Sequence, residues 1–596
     1  MNNVIELNNV SYIYPNSENL SLKNVNFSVK KGAFVVIMGH TGAGKTTLNL
    51  CLNGLIPQLM EGDLSGEIIV ADRNLATYFV QDMAKHIGLV LDDPETQIFG
   101  RTVYEDTSFG PVNLALPLEE INQRVKKALN MVRLNGYEER DTSQLSGGEK
   151  QRLAIAGILA LQPEILVLDE PTSELDPVGI TEIYDTIDNL RLTKQLTILV
   201  TEHNSQEIIN RVDRVVALKH GELAWQGKPD TLFRNIPLLV ELGIRPVPVS
   251  LIGWDFYQKG LISFDQIPLD ILSGEKMIRD VLERTTLSCR STNNFETKFT
   301  RQPVRKSPAL VQVSNLTYQY SPDNNALKNI NLTIHEGEFV ALIGSNGSGK
   351  TTLTKQFNGL LKPSVGQVMV NGMETKQFST SQLSHIVGYV FQNPDHQIFC
   401  ATVEKELEYG LKNAPVDTRE INRRVNHVLN FTGLEQYRNE HPLSLGKGER
   451  QMIAVASILV LEPKILVIDE PTTGLDWAGI QKMMSLIKHL HENGTTILMI
   501  SHDMEIVAKY AQRAIVMNDG EILLDGDTRE VFSKFQVLEQ ACLVPPQITR
   551  LTSSLRDLGF ETNLLHEQEF IDTVGHFLQS AESPKSLESL EDLTCL

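Results

Sequence analysis

Lys45 and Lys350 close two glycine-bearing loops, Gly39-His40-Thr41-Gly42-Ala43-Gly44-Lys45-Thr46 and Gly344-Ser345-Asn346-Gly347-Ser348-Gly349-Lys350-Thr351. In each, four residues separate the first glycine from a Gly-Lys-Thr triplet. An apolar run precedes the loop and a helical pattern follows it. The residue types explain themselves chemically. Glycines let successive backbone N–H groups wrap phosphate oxygens, lysine neutralises their charge, and the threonine hydroxyl reaches Mg²⁺. The loops predict two nucleoside-triphosphate sites. One uses Gly39, Thr41, Gly42, Gly44, Lys45, Thr46 and Thr47, the other Gly344, Asn346, Gly347, Gly349, Lys350, Thr351 and Thr352.

Further candidates follow each loop in the same order. Asp169 and Asp469 end apolar strands, and a carboxylate there can hold the magnesium shell with Thr46 or Thr351. Glu170 and Glu470 follow directly and could orient or activate an attacking water. His203 and His502 end a last strand, where a γ-phosphate contact is expected. Tyr14 and Tyr320 end the first strand region and could stack on a base. Ser146, Gly147 and Gly148 open the apolar helix that continues through Leu161. Serine can cap that helix, and its free N–H groups suit an anion.

The elements that must position these residues occur twice. Gln97-Ile98-Phe99 recurs as Gln397-Ile398-Phe399, and Asp169-Glu170-Pro171-Thr172 recurs as Asp469-Glu470-Pro471-Thr472. A repeat this long is a domain duplication, not a solenoid. Alternating segments, Val4–Tyr14 and Leu310–Tyr320, read as strands. Continuous apolar strands alternating with helices point to an α/β fold with a buried, mostly parallel sheet. The expected organisation is a cassette over 1–230, an appendage over 231–285, a linker over 286–307, a second cassette over 308–535, and an appendage with a tail over 536–596.

Composition narrows the partners. Lys plus Arg number 54 against 74 for Asp plus Glu, a net charge of −20, which disfavours nucleic acid. Five cysteines without a CxxC pair suit a reducing cytosol. Apolar runs such as Leu153–Leu161 are too short to cross a bilayer, so any membrane role is peripheral.

Phosphate loop, Leu145-Ser146-Gly147-Gly148-Glu149-Lys150-Gln151-Arg152, the acid-ended strand and the strand-end histidine, in this order, resemble an ATP-binding-cassette (ABC) ATPase. The resemblance covers both halves. It implies two tandem P-loop domains, each with a mostly parallel core sheet, an antiparallel β subdomain and a helical subdomain. It also implies intramolecular head-to-tail pairing, with ATP and Mg²⁺ between one half's phosphate loop and the other half's signature segment. Gln392, in Val390-Phe391-Gln392-Asn393-Pro394-Asp395-His396-Gln397-Ile398-Phe399, matches the glutamine that senses Mg²⁺ and the γ-phosphate. That run, with Thr102 to Leu114, is similar to energy-coupling-factor (ECF) transporter ATPases. Their implied partners are a transmembrane coupling protein and a substrate-binding membrane subunit, at the cytoplasmic face of a bacterial membrane. The implied cargo is a vitamin, a vitamin precursor or a metal ion. Rival readings are a soluble tandem-cassette ATPase on ribosomes and the duplicated ATPase of a sugar importer.

The copies depart from the pattern in two places. Leu445-Gly446-Lys447-Gly448-Glu449 replaces the serine and one glycine of Leu145-Ser146-Gly147-Gly148-Glu149, with Ser444 one residue earlier. Asp92 stands where Gln392 is expected. Head-to-tail pairing puts both departures in one composite site and leaves the other, built on Lys350, intact. The acids Asp93, Glu95 and Asp395 are expected to attract a basic docking partner.

Overall fold

The computed structural model describes residues 3–15, 17–173, 175–194, 196–286, 307–321, 324–412, 416–560 and 563–582. Most of the expected linker and the tail beyond 582 lie outside the described residues. Each half is built on the strand that delivers its phosphate loop. Phe34–Met38 and Phe339–Ile343 are apolar at every position and buried at every position, so both faces of their sheet are covered, one mainly by helices and the other by an antiparallel sheet with the helix after the phosphate loop.

In the first half the six-stranded sheet runs Glu222–Gly227, Arg214–Lys219, Phe34–Met38, Thr197–Thr201, Ile165–Asp169, Ile87–Val90. All neighbours pair in parallel except the first two. The second half repeats this with Val387–Val390, Ile465–Asp469, Thr496–Ile500, Phe339–Ile343, Arg513–Asn518 and Glu521–Asp527. Register sets Asp169 beside Thr201 and Asp469 beside Ile500, at the carboxyl ends of parallel strands. Open α/β sheets bind ligands at that edge.

A four-stranded antiparallel sheet flanks each core, around Asn3–Ile13 in one half and Ala309–Ser321 in the other. Helices Val103–Asn113, Leu118–Met131 and Gly147–Ala160 form the helical portion of the first half. Val403–Lys412, Thr418–Thr432 and Lys447–Leu459 repeat it. The α/β architecture read from the sequence is the one observed.

The appendages hold a feature that the repeat did not announce. Helices Pro248–Gln258 and Ile271–Thr286 pack on Gln547–Ser554 and Glu567–Glu582. Val249, Ile252, Phe256 and Ile278 share one buried core with Ile548, Leu551, Leu555 and Phe570. Each such side chain contributes about 1.5–3 kcal/mol by leaving water. At the rim, Arg279 donates to Asp557 at 2.6 and 2.9 Å; inside the joint, Gln547 Oε1 accepts the Val249 N–H at 3.0 Å. Two appendages far apart in sequence thus form one joint between the halves.

Candidate functional site

Glycine is required where the phosphate loop meets its helix. Gly44 and Gly349 have φ of 98° and 100°, and a Cβ would come within 2.5 Å of Ser21 O or 2.7 Å of Ala326 O. Helices Lys45–Asn53 and Lys350–Thr354 begin at the next residue, so their first N–H groups face the loop. Lys45 Nζ donates to Gly39 O at 3.0 Å and His40 O at 3.1 Å, and Lys350 Nζ donates to Gly344 O and Ser345 O at 2.9 Å. Burial lowers the pKa of both lysines.

Burial also pushes Asp169 and Asp469 up to about 6, with Glu170 and Asp92 adding to the push on Asp169. Thr351 Oγ1 donates to Asp469 Oδ2 at 2.9 Å, and the Tyr389 hydroxyl donates to the same oxygen at 3.3 Å. Both Asp169 oxygens are buried, and the Thr46 and Thr201 hydroxyls beside them ease its ionisation. An all-oxygen pair of threonine and aspartate fits Mg²⁺, which takes few protein ligands and leaves the rest to phosphate and water. Thr46 with Asp169, and Thr351 with Asp469, are the residues that would hold it.

Glu170 and Glu470 sit in left-handed backbone, at φ of 46° and 53°. Non-glycine residues there carry strain that clusters at working sites. The strand pairing extends one residue to reach them: their N–H groups donate to Thr201 O and Ile500 O at 3.1 and 3.0 Å. Each glutamate pairs with its own half's histidine, His203 Nε2 to Glu170 Oε1 at 2.8 Å and His502 Nδ1 to Glu470 Oε2 at 2.6 Å. Burial opposes ionisation of Glu170, but His203, Lys45 and Lys447 hold its pKa at about 2. These ion pairs place each histidine beside the glutamate, and the γ-phosphate contact expected of it stays an expectation.

A cavity of about 370 Å³ opens at the second loop, lined by Tyr320, Lys350, Thr351, Gln392, Asp469 and Glu470. Tyr320 is 57% exposed, and its hydroxyl bonds Thr352 Oγ1 at 3.1 Å. Tyr14 bonds Thr47 Oγ1 at 3.2 Å in the same way. The second threonine of each Lys-Thr-Thr run therefore braces a tyrosine. Gln392 and Asp92 are both exposed at equivalent loop positions.

The halves meet across these loops. Asp476 Oδ2 accepts the Thr41 N–H at 2.7 Å, and Asp176 Oδ2 accepts the Asn346 N–H at 3.0 Å. Just before each aspartate, Leu175 and Leu475 pack near Gly148 and Gly448 of their own signature segments. Ser146 forms a capping box with Glu149, receiving its N–H at 3.3 Å and donating to Oε2 at 2.9 Å. Gly446 caps the matching helix without a side chain. Ser444 does not substitute by a register shift: it lies in a separate turn and donates to His441 O at 2.7 Å. Lys447 lies against Gly474, where a Cβ would meet Nζ at 2.6 Å, and its charge reaches Glu170 of the other half.

The loop acids are engaged locally. Glu95 pairs with Lys150, Asp395 pairs with Arg450 at 2.7 Å, and Asp93 accepts the Glu95 N–H at 2.9 Å. Neighbouring cations and turns use these carboxylates, so they offer less free charge to a partner than their sequence suggests. The structure adds exposed aromatic pairs that the sequence does not mark. Phe99 stacks on Phe109 at 5.9 Å and Phe399 meets Tyr409 edge-on at 4.6 Å, each ring more than half exposed. Asp106 holds the Phe99 backbone by accepting its N–H at 2.8 Å, and Glu406 holds Phe399 at 3.0 Å. The repeated Gln-Ile-Phe run was the available signal. Its glutamines pin the loop through Leu91 N–H at 2.8 Å and Phe391 N–H at 3.3 Å.

Two phosphate loops, each facing a strand-end acid pair and each touched by an aspartate of the other half, define a P-loop ATPase with two paired cassettes. The sequence model of the family described as ABC transporter matches residues 22–173 and 327–473. An ABC transporter ATP-binding protein of Methanosarcina mazei is 42% identical over 94% of this chain and 95% of its own. A counterpart from Caldanaerobacter subterraneus is 41% identical over 90% of this chain and 93% of its own. The solved cbiO1 of Clostridium perfringens, part of the ABC transporter complex cbiONQ, is 37% identical, covering 41% of this chain and 99% of its own at a TM-score of 0.37. The chain belongs to the ABC transporter family and carries that family's ATP-hydrolysing domain twice. Among the described residues no helix is long and apolar enough to cross a membrane.

Proposed function

We propose that this chain is the energy-converting subunit of a membrane importer of the ECF type, working at the cytoplasmic face of the membrane. It hydrolyses ATP chiefly at one of its two composite sites. Lys350, Thr351, Gln392, Asp469, Glu470 and His502 form the body of that site, completed by Ser146, Gly147 and Gly148 from the first cassette. Lys45, Thr46, Asp169, Glu170 and His203 form the other, which meets Gly446 and Lys447 and carries Asp92 in place of glutamine. This second site binds ATP and turns over slowly. Mg²⁺ at each site would supply charge stabilisation for the phosphates. The protein's own part is to hold a water at the glutamate and exclude others as the cassettes close.

The observation that carries the transport reading is the pair of exposed aromatic clusters, Phe99–Phe109 and Phe399–Tyr409. Apolar surface held rigidly in that way marks a protein-binding face. Phe99 and Phe399 lie seven positions after Asp92 and Gln392 on the same loops, so a partner seated there would sense the nucleotide site. The ECF-like loop sequences favour a transmembrane coupling protein as that partner, with a separate membrane subunit that binds a vitamin, a vitamin precursor or a metal ion. The test is affinity purification of the tagged chain from detergent-solubilised membranes. Small integral membrane proteins should co-elute; ribosomal proteins in their place would overturn the reading.

A further inference from the structure

One residue of the first appendage touches the histidine loops of both sites. Ser205, two residues after His203, donates its hydroxyl to Arg245 O at 2.8 Å. The Arg245 guanidinium crosses to the second cassette and grips Asp503, the residue after His502, at 2.5 and 3.3 Å. It also lies 5.3 Å from the centre of the Trp477 ring, and the Trp477 N–H donates to Gly243 O at 3.3 Å. Trp477 follows Asp476, which holds Thr41 of the first phosphate loop.

The arrangement occurs once. Aligning His203 with His502 sets Val544 opposite Arg245 and Asn204 opposite Asp503. Both segments leave their helices alike, through a left-handed Gly243 (φ 71°) and Cys542 (φ 57°), so the alignment holds in space. Val544 cannot form an ion pair and is 46% exposed. Asp503 also caps the helix Met504–Tyr510, accepting the N–H groups of Glu505 and Ile506 at 3.1 and 3.2 Å. A guanidinium on that carboxylate fixes the cap and, one residue back, the direction of His502. The pair is largely shielded, at 20% and 19% side-chain exposure, so solvent screens it little.

We propose that Arg245 is a positioning residue acting in trans: it sets the His502 loop of the intact site from the joint between the cassettes. The alignment of His502 then depends on how the two halves sit together. The inference rests on hydrolysis at the Lys350 site and adds a residue to it.

The test is steady-state ATP hydrolysis by the full chain with Mg²⁺. Arg245→Met should lower kcat about tenfold with KM for ATP shifting less than about twofold, because positioning is lost and not binding. Arg245→Lys keeps the charge but loses the two-pronged fork, so its rate should fall between those of Arg245→Met and wild type. Arg245→Met with Asp503→Asn should be no slower than Arg245→Met alone, since the two act as one unit. This double variant removes both charges of the Arg245–Asp503 pair, so it decides the question if the single variant fails to fold. The loss should persist in Glu170→Gln, where the other site is disabled. A double variant that folds with wild-type kcat, independent losses, a change in KM alone, or a lysine variant no better than methionine would each overturn the proposal. An inactive wild-type chain would instead sink the functional reading on which it rests.

Discussion

Asp476 of the second cassette accepts the backbone N–H of Thr41 at 2.7 Å, and the two residues are 435 positions apart. The contact pins the first phosphate loop to the far half without using any side chain of the loop. Asp476→Ala should therefore raise the ATP concentration needed for half-saturation of the first site. A charge-assisted hydrogen bond of about 1.5–3 kcal/mol corresponds to at least about tenfold. Asp476→Asn keeps an acceptor and should restore most of the affinity, read by nucleotide binding in a Lys350→Ala background. Equal affinities for the alanine variant and its parent would refute the role.

Glu170→Gln and Glu470→Gln should differ. Loss of Glu470 should cut total ATPase activity by about a hundredfold, in the range for removal of a general base. Loss of Glu170 should cost about twofold or less on the same scale. Turnover assays of the two purified variants decide it, and equal losses would remove the asymmetry.

Lys447 distinguishes the weak site chemically. Gly446→Ser with Lys447→Gly rebuilds the signature of the first half. Space exists for the serine, because a Cβ at Gly446 meets only the flexible Glu449 carboxylate, whose counterpart Glu149 bonds Ser146 in the other copy. In a Glu470→Gln background the rebuilt chain should hydrolyse ATP at least about fivefold faster, a change of ~1 kcal/mol in the barrier. No gain would leave Asp92 as the main defect.

Glu505 gives a pH signature. Burial raises its pKa from 4.5 to about 7, and Oε1 accepts the Gln547 N–H at 2.7 Å. Below pH 4.5 the group is neutral folded or unfolded and contributes nothing. Between 4.5 and 7 the unfolded chain ionises first, so stability falls, and the penalty is complete above 7. Glu505→Gln keeps the acceptor and should melt at the same temperature as wild type near pH 4. At pH 8 it should be more stable by ~1 kcal/mol, part of the full shift. A constant difference at both pH values would count against the buried charge.

The aromatic clusters should mark the docking face. Phe99→Ser with Phe399→Ser should lower the fraction of chain retained on washed membranes at least about fivefold, as loss of interface anchors does. Replacing Asp93 and Asp395 by lysine should do less, since Asp395 already serves Arg450 and Asp93 serves a turn. The reverse ranking would return the acids to the central role.

Local chemistry was legible in the sequence. The phosphate loops, the acid-ended strands and the capping serine each need residue types at fixed short spacings, so Lys45, Asp169 and Ser146 could be read without coordinates. The alternation of buried strands and helices fixed the α/β class for the same reason. What escaped depends on distance along the chain. Lys150 gives no sign that it neutralises Glu95, 55 positions away. Nothing around Arg245 or Asp503 predicts their meeting across 258 positions. Nor does an amphipathic helix reveal that its apolar face will find Phe570 and not the cassette beside it.

The joint around Phe256 and Phe570 has a genealogical consequence. A cassette that pairs with another copy of itself must use one sequence for both active faces. Any change in its signature then appears in both sites at once, and Lys447 would oppose Glu470 as well. Two halves that share a core and a reading frame always meet the same mate, in equal dose. Each is free to specialise, because a change in one half reaches only one of the two sites.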